Sequence, residues 1–440
     1  MKKIRLLLFL ITVISFCKGY CNDTIYVSLS DCIRIALKDN PTVLIADMEI
    51  HKADYSKKEV LAGLFPSIDF SGAYQRAIEL QTIRMDLGGQ SQNIKMGSDN
   101  TWNFSFSAAL PLIAPTLWKT ISISDSQILA TLEDARASRL DLVNNVNKAY
   151  YALMLAISSK NVIRQNYEVA KFNADLYEKQ FSNGTASEYD VLRSAVQVKN
   201  VEPELLQADI AIKQCQLQLK VLMGIAENYD LMPTTSLDTY SVDMLAVPKS
   251  ADLSLTENTS MRTLEIQKDI LKKTVELKKY AFLPTLGASY SVAWTALSNG
   301  SPFKNQNFNP YSNVGLAISI PLFSGGSRLY GLRQAQIQLK EIDIQKDYLT
   351  NTLNMQIDLA VDNMNREAAQ ISTSQEGVKQ AKKAYEIMQK SFEIGAASYL
   401  DLRDAELANT SAQLVYLQAI YNYLVSASEL DMLLGKDPTL

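Results

Sequence analysis

Few side chains in this 440-residue chain can do bond chemistry. His51 is its one histidine, which removes His-based nucleophile triads and His-rich zinc sites, and denies a helical bundle its Glu-x-x-His metal pairs. It falls in a helical stretch and reads as a plain surface residue. The four cysteines, Cys17, Cys21, Cys32 and Cys215, form no Cys-x-x-Cys pair, so neither a thiolate metal site nor a disulfide framework is indicated. A Cys21–Cys32 bridge and two reduced, inert thiols both stay open. No catalytic, cofactor-binding or metal-binding residue is assigned, and the chain is read as a non-enzyme. What remains is electrostatic: carboxylates placed by repetition, Asp190 at the end of Lys179-Gln-Phe181-Ser-Asn-Gly184-Thr185-Ala186-Ser187-Glu-Tyr-Asp190 and Asp401 at the end of Lys390-Ser-Phe392-Glu-Ile-Gly395-Ala396-Ala397-Ser398-Tyr-Leu-Asp401.

A repeat of about 210 residues is far longer than a solenoid unit and indicates a duplicated half-structure. Leu64-Phe65-Pro66 pairs with Phe282-Leu283-Pro284, and Leu110-Pro111-Leu112 with Ile320-Pro321-Leu322. About 73 residues separate Pro111 from Gly184 and about 74 separate Pro321 from Gly395, as expected of one rigid element of fixed length. The predicted organisation is a signal segment at 1–19, a first repeat at 20–226, an irregular linker at 227–254 and a second repeat at 255–440.

The opening Met1-Lys2-Lys3-Ile4-Arg5, followed by apolar Leu6 to Phe16, has the form of a secretory signal cut near Cys17-Lys18-Gly19. Acylation of Cys17 or Cys21 is disfavoured by bulky Phe16 or Tyr20 just before them. Removing the signal's basic residues takes the formal charge from −4 to about −8, which argues against a nucleic-acid partner. No later apolar run reaches the roughly 18 residues of a spanning helix, so an exported chain that crosses a membrane must do so as a barrel.

Two proline-free, nearly glycine-free stretches, about 116–181 and 328–392, carry apolar residues at helical steps, in the first Leu132, Ala135, Arg139, Leu142, Val146, Ala149, Leu153 and Ala156. A helix of about 65 residues is roughly 100 Å long. Shorter helices are predicted over about 29–63, 188–223, 255–282 and 399–434, stacking in pairs beside the long ones. Gly184 and Gly395 suit the left-handed residue that ends a helix, and Ser187 and Ser398 the cap of the next. Between helices the period changes to two, giving two hairpins with strands over about 67–76, 104–110, 285–295 and 314–320. The segments at about 79–100 and 298–309 are rich in Gly, Ser and Asn and are expected to be loops that face outside. Trp102, Trp118 and Trp294 lie in or next to these strands with Tyr74, Tyr290 and Tyr311, as in a membrane-interface girdle. A soluble β-sandwich capping a coiled coil is the other reading. Four strands cannot close a spanning barrel, whereas three chains supply about twelve.

In order and duplication, Ala36-Leu37-x-x-Asn40-Pro41, the Leu-Pro pairs, Pro321-Leu322-Phe323-Ser324-Gly325-Gly326 and the two Phe-x-x-Gly-x-x-Ser-x-x-Asp turns resemble the TolC-like outer-membrane efflux protein family across essentially the whole mature chain. That resemblance implies a mainly α protein with a transmembrane β part. It also implies a long α-helical barrel spanning the periplasm and four strands per chain that complete a 12-stranded β-barrel in a homotrimer in the outer membrane. It further implies a periplasmic adaptor (membrane fusion) protein and an inner-membrane pump as partners. By position it places the periplasmic gate at Asp401, Asp404, Asp190 and Phe392. Two departures stand out: Phe392 lacks a hydroxyl for an inter-helix bond, and Ala397 stands where a basic tether is expected. Arg193 or Arg403 is the substitute salt-bridge donor. Small side chains assign Gly184, Thr185, Ala186, Gly395 and Ala396 to adaptor docking.

Each assignment has a structural counterpart. Asp190 and Asp401 also suit the first turn of a helix through its dipole, and the small turn residues suit tight turning alone. The expected function is a passive exit duct of a tripartite efflux or type I secretion system, with a soluble periplasmic coiled-coil adaptor or structural protein as the alternative.

Overall fold

The computed structural model describes residues 23–87, 90–225, 229–240, 254–303 and 306–436. The expected signal segment 1–19, Cys21, and residues 227–228 and 241–253 of the expected linker lie outside them. The chain runs β1 (Asp23–Val27), α1 (Leu29–Asp39), α2 (Pro41–Ala62), β2 (Ser67–Arg76), β3 (Gln81–Leu87), β4 (Gln90–Met96), β5 (Asn100–Ile113), α3 (Pro115–Ser182) and α4 (Glu188–Met223). It continues through β6 (Tyr229–Pro233), a short 3-10 turn (Leu237–Thr239), α5 (Thr259–Tyr280), β7 (Thr285–Ser298), β8 (Phe308–Ser319), α6 (Ser327–Glu393) and α7 (Tyr399–Leu433). The long helices thus hold 68 and 67 residues without interruption, within a residue of their expected ends.

The chain divides into two compact units, Met1–Asp47 with Asp134–Arg262 and Tyr348–Leu440, and Met48–Glu133 with Thr263–Asp347. In the first, Val146, Tyr150, Leu153, Leu219, Ile371 and Ile420 belong to one apolar core. Of the stripe expected on α3, Ala135, Leu142, Val146, Ala149 and Leu153 are buried, while Leu132 and Arg139 are exposed. A helix this long does not keep one face toward one neighbour, so a short-range stripe drifts out of the core.

Three expectations are corrected. The helix expected over 29–63 breaks at Asn40, whose backbone is extended (φ −69°, ψ 129°), because Pro41 disfavours helical backbone before it and offers no N–H. The linker, expected to be irregular, contributes β6, which pairs in parallel with β1 from Asp23↔Tyr229 to Val27↔Pro233. Gln216 Nε2 donates to Leu231 O in β6 (2.8 Å), and Tyr150 Oη to Val27 O in β1 (3.2 Å). The loop expected over 79–100 holds the β3–β4 hairpin, in register from Gln81↔Met96 to Leu87↔Gln90.

The break at Asn40 belongs to a joint that the sequence repeat did not reveal. Asn40 Nδ2 donates to Leu222 O (2.7 Å), near the end of α4, while its Oδ1 accepts the Thr42 N–H (2.7 Å). Asn258 does the same in the second repeat, donating to Leu433 O (2.7 Å) and accepting the Met261 N–H (2.9 Å). Each asparagine, buried, starts one helix and terminates another, satisfying orphan groups at both ends. Gly224 (φ 67°) and Gly435 (φ 64°) follow those helix ends, and a Cβ on either would strike the carbonyl of Asp39 or Glu257. Here glycine is demanded twice, by backbone conformation and by space.

Candidate functional site

Two regions carry the candidate function: the turns joining α3 to α4 and α6 to α7 in the first unit, and the sheet of the second. At the first turn Gly184 takes φ 74°, its N–H donating to Phe181 O (2.9 Å), and Thr185 N–H reaches back to Gln180 O (2.8 Å). At the second Gly395 takes φ 77°, with Gly395 N–H on Phe392 O (3.0 Å) and Ala396 N–H on Ser391 O (2.7 Å). These paired backward bonds satisfy the last carbonyls of each long helix. A Cβ at either glycine would meet nothing within 4 Å; Gly184, Thr185, Gly395 and Ala396 are exposed and Ala186 is half-buried.

The returning helices begin with full capping boxes. Ser187 Oγ accepts the Asp190 N–H (3.2 Å) while Asp190 Oδ2 accepts from the Ser187 N–H (3.3 Å) and hydroxyl (2.6 Å). Ser398 and Asp401 repeat this at 3.3, 3.1 and 2.6 Å. The Ser398 hydroxyl, and then its backbone N–H, hold the Asp401 carboxyl below the usual carboxylate range. Within one chain, Asp190 and Asp401 are therefore helix caps. Asp404, one turn on, is outside the box; its carboxylate is mostly exposed and lies 3.7 Å from the Arg403 guanidinium.

Phe392 stands in an aromatic cluster that sequence reasoning missed. Its ring centroid is 6.3 Å from those of both Tyr177 and Tyr399, which meet edge-on at 5.3 Å. Arg193, expected as a salt-bridge donor, instead lies over the Tyr399 ring at 5.7 Å. The only signal was Tyr399 itself, an aromatic where the first repeat has Glu188. Beside the cluster is a groove of about 770 Å³ lined by Asn173, Tyr177, Tyr385, Phe392 and Leu402 among others. The structure thus brings Phe392, Tyr399 and Arg193 together.

In the second unit the two expected hairpins are one antiparallel sheet, β2-β5-β7-β8, whose outer strands each have one unpaired edge among the described residues. Register fixes its faces, because partners across a ladder point the same way and alternate along each strand. One face aligns Phe70↔Phe106↔Val292↔Ser312 and Ile68↔Ala108↔Tyr290↔Val314. The other aligns Ser71↔Ser105↔Ala293↔Tyr311 and Asp69↔Ser107↔Ser291↔Asn313. The first face is apolar yet exposed, with Ile68 at 73%, Val314 at 81% and Leu316 at 72%. Water does not favour such a face; lipid does.

Of the expected girdle, Tyr74, Trp102, Trp294 and Tyr290 are on this face, the Tyr74 and Trp102 rings tilted against each other at 4.4 Å between centroids and Trp102 Nε1 donating to Pro302 O (3.3 Å). Tyr311 is not: its register with Ala293 puts it on the polar face. Trp118 is on α3, in its first turn, and not on a strand. Sequence reasoning passed over Phe104, Phe106 and Phe308, which join the same aromatic layer.

Among the described residues, no group of three or more His, Cys, Asp or Glu could hold a metal ion, and Cys32 and Cys215 are free thiols. No described helix is long and apolar enough to cross a membrane. Long helices with capped tips, and a sheet with one apolar and one polar face, fit a channel-type outer-membrane protein. The signature of the family described as Outer membrane efflux protein matches residues 32–225 and 251–436, and the chain belongs to that family. The alkaline protease secretion protein AprF of Pseudomonas aeruginosa is 26% identical over 426 residues, covering 94% of this chain and 85% of its own. The outer membrane protein TolC of Vibrio cholerae is 19% identical over 412 residues, covering 93% of this chain and 90% of its own. In fold the chain resembles the Campylobacter jejuni CmeC outer membrane channel, with a TM-score of 0.74 at 19% identity over 92% of this chain and 85% of that one. This is a TolC-like outer-membrane protein with a channel role in efflux or secretion.

Proposed function

We propose that three copies form a channel-tunnel that serves as the passive exit duct of a tripartite efflux or type I secretion system. Substrate is pushed in by an inner-membrane pump through a periplasmic adaptor, and this protein supplies a water-filled path without bond chemistry. The observation that carries the reading is the sheet: four strands of 10 to 14 residues with two open edges, an apolar face and a polar face. Strands of that length, tilted, cross a hydrocarbon core of about 30 Å, and four per chain close only with neighbours. The apolar face meets lipid and the polar face water. The two repeats, 20–226 and 255–440, then each supply one strand pair and one helical hairpin to the wall.

At the entrance three copies of Asp404, with Asp401 and Asp190 beside them, form an acidic ring that favours cations. The turn residues Gly184, Thr185, Ala186, Gly395 and Ala396 receive the adaptor, and Phe392 braces the tip through Tyr177 and Tyr399. Detergent-purified protein in planar bilayers tests both parts. The expected result is a small cation-selective conductance whose selectivity weakens in Asp404→Asn. Unchanged selectivity discards the acidic ring and keeps the duct; no insertion discards the duct. Val314→Lys on the apolar face is expected to lower insertion by about 2–4 kcal/mol, and Asn313→Lys on the polar face by much less, read from the fraction assembled in bilayers.

A further inference from the structure

The two returning helices start with the same capping box and then bury different groups. In α4 the first buried polar residue is Ser194, whose hydroxyl donates to Val191 O (2.9 Å). In α7 it is Glu406, a carboxylic acid 7% exposed, with Oε1 buried and without a hydrogen-bond partner. Three residues on, Asn409 Oδ1 is likewise buried and unpartnered. Residues three apart on a helix are neighbours, so these two oxygens lie on one face, and neither receives a hydrogen bond. A proton on Glu406 turns one of the two acceptors into a donor.

The groups facing this stretch leave Glu406 Oε1 without a partner, among them Lys382, Tyr385 and Glu386 of α6, which line one groove with Asn409. Tyr385 on α6 and Tyr399 on α7 both have phenols raised first by burial and then by the Glu406 charge, with Glu393 also acting on Tyr385. Arg193 of α4 sits over the Tyr399 ring, and Tyr177 of α3 packs on the edge of that ring. Arg403, one turn before, leaves its Nε buried and unpartnered while its terminal nitrogen faces Asp404. A charged Glu406 in this setting is a buried anion whose Oε1 receives no hydrogen bond, which is disfavoured.

We propose that Glu406 carries a proton in the packed state, donating it to Asn409 Oδ1, and that its loss loosens the first turns of α7, so that this end of the helix responds to pH. Burial pushes the carboxyl from its ordinary 4.5 up to about 7. Because the packed state holds the proton more tightly than the hydrated one, packing is firmest below about pH 4.5, weakens as pH rises toward 7, and is level above it. The proposal stands on packing within one chain; only its consequence, an entrance that opens more readily as pH rises, rests on the channel reading.

Two measurements on the full chain test it. Hydrogen exchange of amides 402–410, corrected for intrinsic rates, is followed from pH 5 to 8 in wild type and Glu406→Gln. The open fraction is expected to rise up to about tenfold per pH unit below 7 in wild type and to stay flat in Glu406→Gln. A slope of equal size in both, or in neither, overturns the proposal. Should Glu406→Gln fail to fold, a carboxyl ¹³C titration of wild type decides alone: a midpoint near 7 supports the proton, and one near 4.5, as for a carboxylate hydrated by a trapped water, overturns it. Either result leaves bilayer conductance, and with it the duct, a separate matter.

Discussion

Gly184 and Gly395 at the tips share their left-handed backbone with Gly224 and Gly435 at the asparagine joints, φ 74° and 77° against 67° and 64°. Their surroundings are opposite. A side chain at the tips would point into open space; at the joints it would collide with a neighbouring carbonyl. The tips are chain reversals closed by local bonds, each reaching back three to five residues, while the joints are held by asparagines 182 and 175 residues away from the carbonyls they meet. An exposed reversal leaves its surface for a partner, whereas a buried joint commits its surface to the fold. Both kinds of device occur twice in the chain, for different reasons.

Substitutions at these four glycines should separate the two regions most sharply. Gly435→Ala and Gly224→Ala are expected to cost on the order of 3 kcal/mol or more, since strain and collision add, and to lower the denaturation midpoint or abolish assembly. If either is tolerated like a tip substitution, the joint is not the tight contact described. Asn258→Ala or Asn40→Ala removes two hydrogen bonds and leaves a buried carbonyl unpaired, at a cost of about 2–3 kcal/mol by denaturant titration. Gly395→Ala and Gly184→Ala meet only the conformational penalty, about 1–2 kcal/mol, so midpoints should shift modestly and exchange should rise only near the turn.

The smallest effect is expected at the caps, where Ser398→Ala or Ser187→Ala costs about 1 kcal/mol. Asp401 adds a pH signature of opposite sign to that of Glu406. Its carboxyl is held low by Ser398, so its contribution is present above the ordinary carboxylate range and is lost as pH falls through the lowered value. Fraying of the α7 start in strong acid, absent from Ser398→Ala, would show it by exchange at amides 399–402.

Legibility followed the range of the interactions. The long helices were readable almost to the residue, because propensity, absence of proline and a glycine-then-serine ending are local properties. So were the capping boxes at Ser187 and Ser398, whose partners are three residues away. Asn40-Pro41 was visible as a motif, but the role of Asn40 was not, since its partner Leu222 O lies in another helix. The β1–β6 pair escaped for the same reason: the linker's short strand acquires meaning only from a partner some 200 residues away. Tyr311 and Trp118 were grouped with the girdle because aromatic identity is in the sequence and facing is not.

By itself, the sequence determined the repeated tip motif, the lengths of the helices, the place and chemistry of their tips, and the alternation of the strands. Each of these is encoded in residues close enough along the chain to act on one another before any tertiary contact forms. Only the tertiary structure decided that the four strands make one sheet with Tyr311 on its polar face, that Phe392 packs with Tyr177 and Tyr399, and that Asn258 and Gly435 meet in a joint. Burial is the clearest case. Glu406 and Asp404 are two residues apart and both carry carboxyl groups; packing turns one inward with an oxygen left unpartnered and leaves the other mostly exposed, because neighbouring helices remove the solvent from one and not the other.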